Sequence, residues 1–392
     1  VKAVTKQAPD PSDRSDNDRP TILVTGGAGY IGSHVCAELL GEGFGVVVLD
    51  DFSNARPDVP ARLKRLGGRP IRWFIGDIRD RKLMARIFAR HRFAGVIHLA
   101  ALKSIPHSLA RPLDYADVNL GGLVALLQAM QDAEVHRLVF SSSAAVYGEP
   151  ASVPISENAP LSFANPYAHT KLVGEQLLQQ LAAADSRWAI GILRYFNPIG
   201  AHPSGLIGEN PAGLPDNLMP TLARVASGRQ NALQVFGADF ATRDGTAVRD
   251  YIHVADLARG HVLSLRSLQE TGSGHVVNLG SGHGYTVLEV LRAYAAACGR
   301  PVPFTMSARR PGDAGASYAD PSRAQRLLGF QTSYCLADMC RSSWDWARSL
   351  EAESWDAKER KSRDDDTIPV VRDSGIQATR AARTPSATVR QA

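Results

Sequence analysis

Cysteine is scarce in this chain, with only Cys36, Cys298, Cys335 and Cys340 among 392 residues. None belongs to a Cys-x-x-Cys pair or has a histidine at ligand spacing, which argues against a structural zinc, and no metal is expected. So few thiols in so long a chain suit a reducing compartment, the cytoplasm by default. Long apolar runs are missing as well. No stretch approaches the roughly 20 residues of a membrane span, and residues 1–20, rich in Asp, Ser and Pro, hold no apolar core like that of a signal peptide. A clustered Lys/Arg stripe is also absent, which argues against a nucleic-acid surface although the formal net charge is +5. Residues 1–19 and 351–392 are each charge-balanced by count, so the surplus lies in residues 20–350, where it suits a body that holds phosphates.

A 44% hydrophobic content provides for a large core in one big or two moderate domains. The chain opens its ordered pattern with a β-type run, Thr21–Val24, that breaks into Thr25-Gly26-Gly27-Ala28-Gly29-Tyr30-Ile31-Gly32 and then a helical stretch from Ser33 to Leu40. Gly26, Gly29 and Gly32 clear the approach of a pyrophosphate, and the helix N-terminus offers free N–H groups and a positive dipole end. The next run, Phe44–Leu49, ends in Asp50-Asp51, where a carboxylate receives adenosine ribose hydroxyls. Two carboxylates there repel a 2′-phosphate, so the expected cofactor is NAD rather than NADP.

The alternation continues through a strand at Ile71–Gly76 ending in Asp77-Ile78, a helix near Arg81–Arg90, a strand at Gly95–Ala101, a helix at Pro112–Gln131 and a strand ending at Ser141. Strands that are apolar throughout, separated by helices, imply an α/β fold with a doubly wound parallel sheet of the Rossmann type. Asp77, Ala100, Ala101 and Lys103 fall at strand ends, the ligand-binding edge of such sheets. His98, inside a strand, reads as a core histidine. A strand at Trp188–Arg194 closes residues 20–195 as the nucleotide-binding domain. Residues 196–350, loop-rich at first, read mostly as a smaller mixed substrate lobe, with 252–282 returning to the sheet through a helix at Ala255–Leu268 and a strand at His275–Gly280. Residues 1–19 and 351–392 read as disordered extensions.

The chemistry concentrates at Ser143, Tyr167 and Lys171. Tyr-x-x-x-Lys places phenol and ammonium one helical turn apart on one face, and a nearby positive charge favours the phenolate of a group whose ordinary pKa is about 10. A serine at a strand's C-terminal end can bond the same hydroxyl. Together they suit removal of an alcohol proton while a hydride leaves its carbon for a nicotinamide.

These residues resemble the extended short-chain dehydrogenase/reductase family and, within it, the UDP-glucose 4-epimerases. The likeness is carried by TGGAGYIGSH at 25–34, LRYFNPIGAHPSG at 193–205, NLMP at 217–220, VRDYIHV at 248–254 and Asn278-Leu279-Gly280, and spans about residues 20–350. It implies a cofactor set completed by Tyr30, Ile31, Asn54, Ile78, Leu99, Asn119, Ser141 and Phe196, alongside Tyr167 and Lys171. It also implies that a UDP-hexose meets Asn197, Asn217, Leu218, Phe236, Arg249, Tyr251, Arg310 and Asp313, with Arg249 and Arg310 on the diphosphate. The implied reaction is reversible C4 epimerisation through a 4-keto sugar, in a homodimer built on helices flanking the sheet. Related dehydratases carry an acidic pair after the hydroxyl residue; Ala144-Ala145 supplies none, which points away from elimination. Ala145 and Pro106-His107 are milder departures from relatives. Ser317 stands where some members have a bulky tyrosine, which implies room for UDP-N-acetylglucosamine and UDP-N-acetylgalactosamine. Two other readings stay open: a different NAD-dependent nucleotide-sugar enzyme, such as a uronate epimerase or decarboxylase, and a non-catalytic nucleotide-sensing protein.

Overall fold

The structure is a computed structural model that describes residues 19–359, apart from 212, 214–216 and 311. Nearly all of the two expected disordered extensions therefore lies outside the described residues. In chain order the first part is β1 (Thr21–Thr25), α1 (Tyr30–Gly41), β2 (Gly45–Asp50), α2 (Val59–Gly67), β3 (Arg72–Ile75), α3 (Arg81–Arg90), β4 (Phe93–His98), α4 (Ile105–Ala110), α5 (Pro112–Tyr115), a π-type turn (Ala116–Gly121), α6 (Gly122–Asp132), β5 (Arg137–Ser141), α7 (Pro166–Ala184) and β6 (Ala189–Tyr195). There follow β7 (Asn197–Ile199), α8 (Leu218–Ala226), β8 (Leu233–Phe236), β9 (Val248–His253), α9 (Val254–Thr271), β10 (His275–Leu279), β11 (Gly284–Thr286), α10 (Val287–Cys298), β12 (Phe304–Ser307), β13 (Ala316–Ser317), α11 (Ser322–Leu328) and α12 (Leu336–Glu359).

Seven parallel strands form the main sheet in the order β10-β6-β5-β4-β1-β2-β3. Strand alternation explains why both faces are dry. From β1, Ile22 and Val24 join one core with Val35 and Leu39 of α1 and Leu257 and Leu265 of α9. Leu23 faces the other way, into Met84 and Ile87 of α3, Leu126 of α6 and Leu178 of α7. Each such fully buried aliphatic side chain contributes roughly 1.5–3 kcal/mol, so these two layers dominate what holds the sheet. His98 is part of this interior: it is 3% exposed, its Nδ1 lies 2.7 Å from Thr25 Oγ1, and burial pushes its pKa down to about 3.

The second unit has its own core, in which Met219 and Leu222 of α8, Tyr251 of β9, Tyr294 of α10 and Met339 and Trp344 of α12 meet. Its sheet sets β9 between β11 and β13, with β7 also paired to β9. α9 packs on the main sheet and β10 extends that sheet beside β6. Among the described residues no helix is long and apolar enough to cross a membrane.

The structure corrects four expectations. α1 begins at Tyr30, not Ser33, because Gly29 already has extended N-cap geometry. β4 stops at His98, and Leu99 to Ala101 leave the sheet toward its carboxyl edge. The helix expected over 112–131 is interrupted by the π-type turn, a feature that often marks functional sites. α12 runs to Glu359, into the stretch expected to be disordered from 351, consistent with the good helix formers Ala, Glu and Lys in that part of the sequence.

Candidate active site

β1 and β2 fix the first half of the site. Between them Gly26 takes a positive φ of 72°, and a Cβ there would lie 2.7 Å from the backbone nitrogen of Ala100. A Cβ on Gly32 would lie 2.1 Å from the carbonyl oxygen of Gly26. The turn and first helical residues therefore close up as no other side chain permits, leaving backbone N–H groups facing the cleft. Asp50, 9% exposed at the end of β2, braces this turn: Oδ2 accepts from Ala28 N at 2.9 Å and Oδ1 from Phe52 N at 2.9 Å. Burial raises its pKa, against the lowering by those amides. A carboxylate has about four lone-pair sites, so both oxygens can still accept from ribose hydroxyls. Asp51 is exposed and caps Ser53.

β5 and α7 fix the second half. Asn165 caps α7 by accepting from Ala168 N at 2.9 Å, and Pro166 occupies the first turn. That start places Tyr167 at the helix mouth and Lys171 one turn deeper. Ser143 Oγ accepts from Ala145 N at 3.2 Å, which leaves its hydroxyl proton for the Tyr167 oxygen. Burial raises the Tyr167 pKa, and this bond opposes the rise. Lys171 is 5% exposed and donates through Nζ to the carbonyl oxygen of Ser141 at 2.6 Å. Burial pushes its pKa down to about 8, against the raising effect of Glu175. Here the structure differs from the simple spacing argument: the ammonium is turned to a backbone carbonyl, and Tyr167 is governed chiefly by burial and Ser143.

One cleft of about 470 Å³ joins these halves. Of the expected cofactor residues it is lined by Gly26, Gly29, Tyr30, Ile31, Gly32, Asp50, Asp51 and Asn54 on the β1–β2 side. Asp77, Ile78, Leu99, Ala100, Ala101 and Lys103 line its middle, and Ser141, Tyr167, Lys171 and Phe196 its far end. Ser143, Asn197 and Asn217 of the expected substrate set share it. Asn119 does not line it. That side chain stands behind the wall, accepting from Leu102 N at 2.8 Å and donating to Leu102 O at 3.1 Å and Thr170 Oγ1 at 2.9 Å, so it braces the segment carrying Lys103 against α7.

The remaining substrate candidates gather on the second unit. Arg310 lies over the Phe236 ring, 4.9 Å from its centroid, and its Nε donates to Asp313 at 3.0 Å. Arg249, opposite Ser317 in the β9–β13 register, donates to the carbonyls of Val248 and Ala314 at 2.9 and 2.8 Å. Burial lowers its pKa and Arg310 adds to the lowering, while Tyr251 and Asp313 oppose it. The two guanidinium groups thus stand within each other's field, Arg249 on backbone carbonyls and Arg310 on Asp313. Leu218 and Tyr251 belong to the packing beneath them, Tyr251 being 4% exposed.

Sequence reasoning passed over several cleft residues. Tyr195 bonds Ser141 Oγ, and Arg79 clamps Asp77 and Asp117. Glu209, Arg62 and Trp346 also line the cleft. Tyr195 had a local signal in its place in the 193–205 string; Arg62 and Arg79 join a near partner, Asp58 or Asp77, to a distant one, and Glu209 and Trp346 meet Lys103 and each other from distant parts of the chain.

The sequence profile described as NAD dependent epimerase/dehydratase family matches residues 22–280. The chain is 48% identical to UDP-glucose 4-epimerase of Bacillus subtilis (strain 168) over 328 residues, 84% of this chain and 97% of that protein. Among solved structures it is similar to UDP-glucose 4-epimerase from Bifidobacterium longum in complex with NAD+ and UDP, at 46% identity and a TM-score of 0.81, covering 84% of this chain and 99% of that one. It is also similar to the Stenotrophomonas maltophila UDP-glucose-4-epimerase with bound NAD and formylated UDP-arabinopyranose, at 49% identity and a TM-score of 0.84, covering 85% and 99%.

Proposed function

This chain belongs to the NAD dependent epimerase/dehydratase family, and from that membership we propose how its own residues carry out the family's chemistry. It is an NAD-dependent isomerase that epimerises UDP-glucose and UDP-galactose at C4 through a 4-keto sugar. Bound NAD supplies the reversible hydride acceptor. The cofactor fits the glycine cradle, the two free acceptor positions on Asp50 and the length of the cleft. Tyr167 takes the proton of the sugar's 4-hydroxyl and returns it, Ser143 holds the phenolic oxygen by hydrogen bond, and Lys171 supplies the positive charge that steadies the phenolate. Ala144-Ala145 places no acid or base where a hydroxyl could be expelled.

The observation that carries this reading is the convergence of Ser143, Tyr167 and Lys171 at the end of a cleft that begins in the glycine turn. Arg249 and Arg310 take the UDP diphosphate and Asp313 its ribose, with Phe236 packed under Arg310. Ser317, half-buried opposite Arg249, is a small side chain, and the proposed acceptance of an acetamido group rests on that size. A panel assay with the plain and N-acetylated UDP-sugars tests this: both pairs interconvert on this reading, and brisk turnover of the plain pair alone would remove the role given to Ser317. We expect a homodimer, supported by Ile105, Leu109 and Leu113, which are 46%, 63% and 81% exposed on neighbouring α4 and α5. Sedimentation equilibrium at micromolar concentration giving one chain's mass would contradict it. The four unpaired thiols, Cys335 exposed, fit a cytoplasmic protein; recovery in a secreted or periplasmic fraction would contradict that.

A further inference from the structure

Glu209 is out of place by charge. Its side chain is 10% exposed in a cleft read as receiving the cofactor's diphosphate, where a carboxylate repels ligand and is costly to desolvate unless paired. Both of its partners come from opposite sides of the cleft. Asn217, at the head of α8 on the substrate unit, donates to Oε1 at 2.5 Å; Lys103, on the nucleotide-binding side after β4, brings Nζ within 3.6 Å of the same oxygen.

The backbone that carries Glu209 is anchored independently of these contacts. Ala201 and Gly208 form an antiparallel bridge, and His202 N donates to Ile207 O at 3.0 Å, so residues 201–209 make a tight strap. Ile207 is 2% exposed in the core shared with α1. Trp346 of α12 donates through Nε1 to the Glu209 carbonyl at 3.0 Å and lies so close to Gly208 that a Cβ there would be 2.5 Å from its ring. Arg62 of α2 lies over that ring, 5.1 Å from its centroid, and donates to Leu206 O at 3.3 Å. The strap is thus seated on both units, and Glu209 ties it across the cleft.

We propose that Glu209 is the clasp of a cofactor-retaining strap, a positioning residue that slows NAD escape by joining Lys103 to Asn217. The inference rests on the reading that the glycine-turn half of the cleft holds NAD. Its logic follows from the reaction: an epimerisation has no net redox change, so the cofactor ends each cycle as it began and need never leave, whereas the sugar nucleotide must exchange. Bridging the two units beside the cofactor's half meets both demands.

The test measures NAD bound per full-length chain after gel filtration, and its release over time on repeated desalting, for wild type, Glu209→Gln and Glu209→Ala, with the thermal midpoint checked for each. Glu209→Ala should release NAD about tenfold faster, the effect of an interaction of about 1.4 kcal/mol. Glu209→Gln, able to keep a bond to Asn217 but not the charge toward Lys103, should fall between. Excess NAD should restore turnover in both, and raising salt should speed release from wild type more than from Glu209→Ala, since the pair is partly solvent-screened. Folded variants that release NAD at the wild-type rate overturn the clasp alone. A wild-type chain that binds no NAD overturns both the clasp and the reading beneath it.

Discussion

Lys171 illustrates how one buried residue sets opposite pH trends for activity and stability. In the proposed mechanism its positive charge favours the Tyr167 phenolate while its ammonium stays bound to the Ser141 carbonyl, yet burial has brought its pKa down from 10.5 to about 8. Turnover should therefore fall as pH rises through about 8, where the ammonium loses its proton. Stability should move the other way. Between about 8 and 10.5 the unfolded chain keeps a proton that the folded chain has released, so the folded state gains relative to the unfolded as pH rises across that window. At about 1.4 kcal/mol per pKa unit the full gain is about 3 kcal/mol. Denaturant titrations of wild type and Lys171→Met across that range, taken as a difference, cancel the other groups that titrate there. A difference that stays constant with pH would contradict the assignment. Residues of this kind were legible from the sequence because their spacing is local: Ser143 lies just past a strand, and Tyr167 and Lys171 are one turn apart on a capped helix. Their surroundings were not. That Lys171 answers to Ser141's carbonyl depends on how α7 docks on β5, which no short window reveals.

That docking is itself secured by a buried charge network between elements. Arg194 of β6, 3% exposed, pairs with Glu175 of α7, 1% exposed, with Nη2 to Oε2 at 2.6 Å. Glu175 also receives the Ser142 hydroxyl, one residue past Ser141, so α7 and the tip of β5 are tied at the point where Lys171 finds its acceptor. Arg194 Nη1 donates to Tyr147 Oη at 3.2 Å, and Tyr147 donates in turn to Asn278 at 2.6 Å, reaching β10. Removing one member leaves a buried charge unpaired, so Arg194→Met should destabilise by about 3–5 kcal/mol. Adding Glu175→Gln should recover a good part of the loss, and the double-mutant cycle should show strong coupling. Simple additivity of the two losses would contradict the network. The elements themselves were legible from apolar strands and helical periodicity, and α3 and α7 lie where the pattern puts them. The π-type turn escaped, because a one-residue phase slip in so short an apolar pattern does not stand out from its scatter; Asn119 falls within that turn.

At the scale of the whole molecule, the alternation of strands and helices foretold the doubly wound sheet and the edge at which its cleft opens. The glycine turn and Asp50 foretold one end of that cleft, because each acts through its own backbone neighbourhood. The second unit was legible mainly through resemblance: Phe236, Arg249 and Arg310 come from separate strands and loops, and only the folding of β9 against β13 and the stacking of Arg310 on Phe236 bring them together. Arg62, Glu209 and Trp346 were invisible for the same reason: Arg62 meets Trp346 and Leu206, Glu209 meets Lys103, and Trp346 meets the Glu209 carbonyl, all distant along the chain. The account stands on one proton site in this assembly, and one measurement reaches it directly. Conversion of UDP-galactose to UDP-glucose by Tyr167→Phe, with NAD content and thermal midpoint measured on the same preparation, should be slower than wild type by roughly 10²- to 10⁴-fold, the usual contribution of a positioned acid–base group, while cofactor and stability stay near wild type. Turnover within a few-fold of wild type in that folded, NAD-bearing variant would contradict the account.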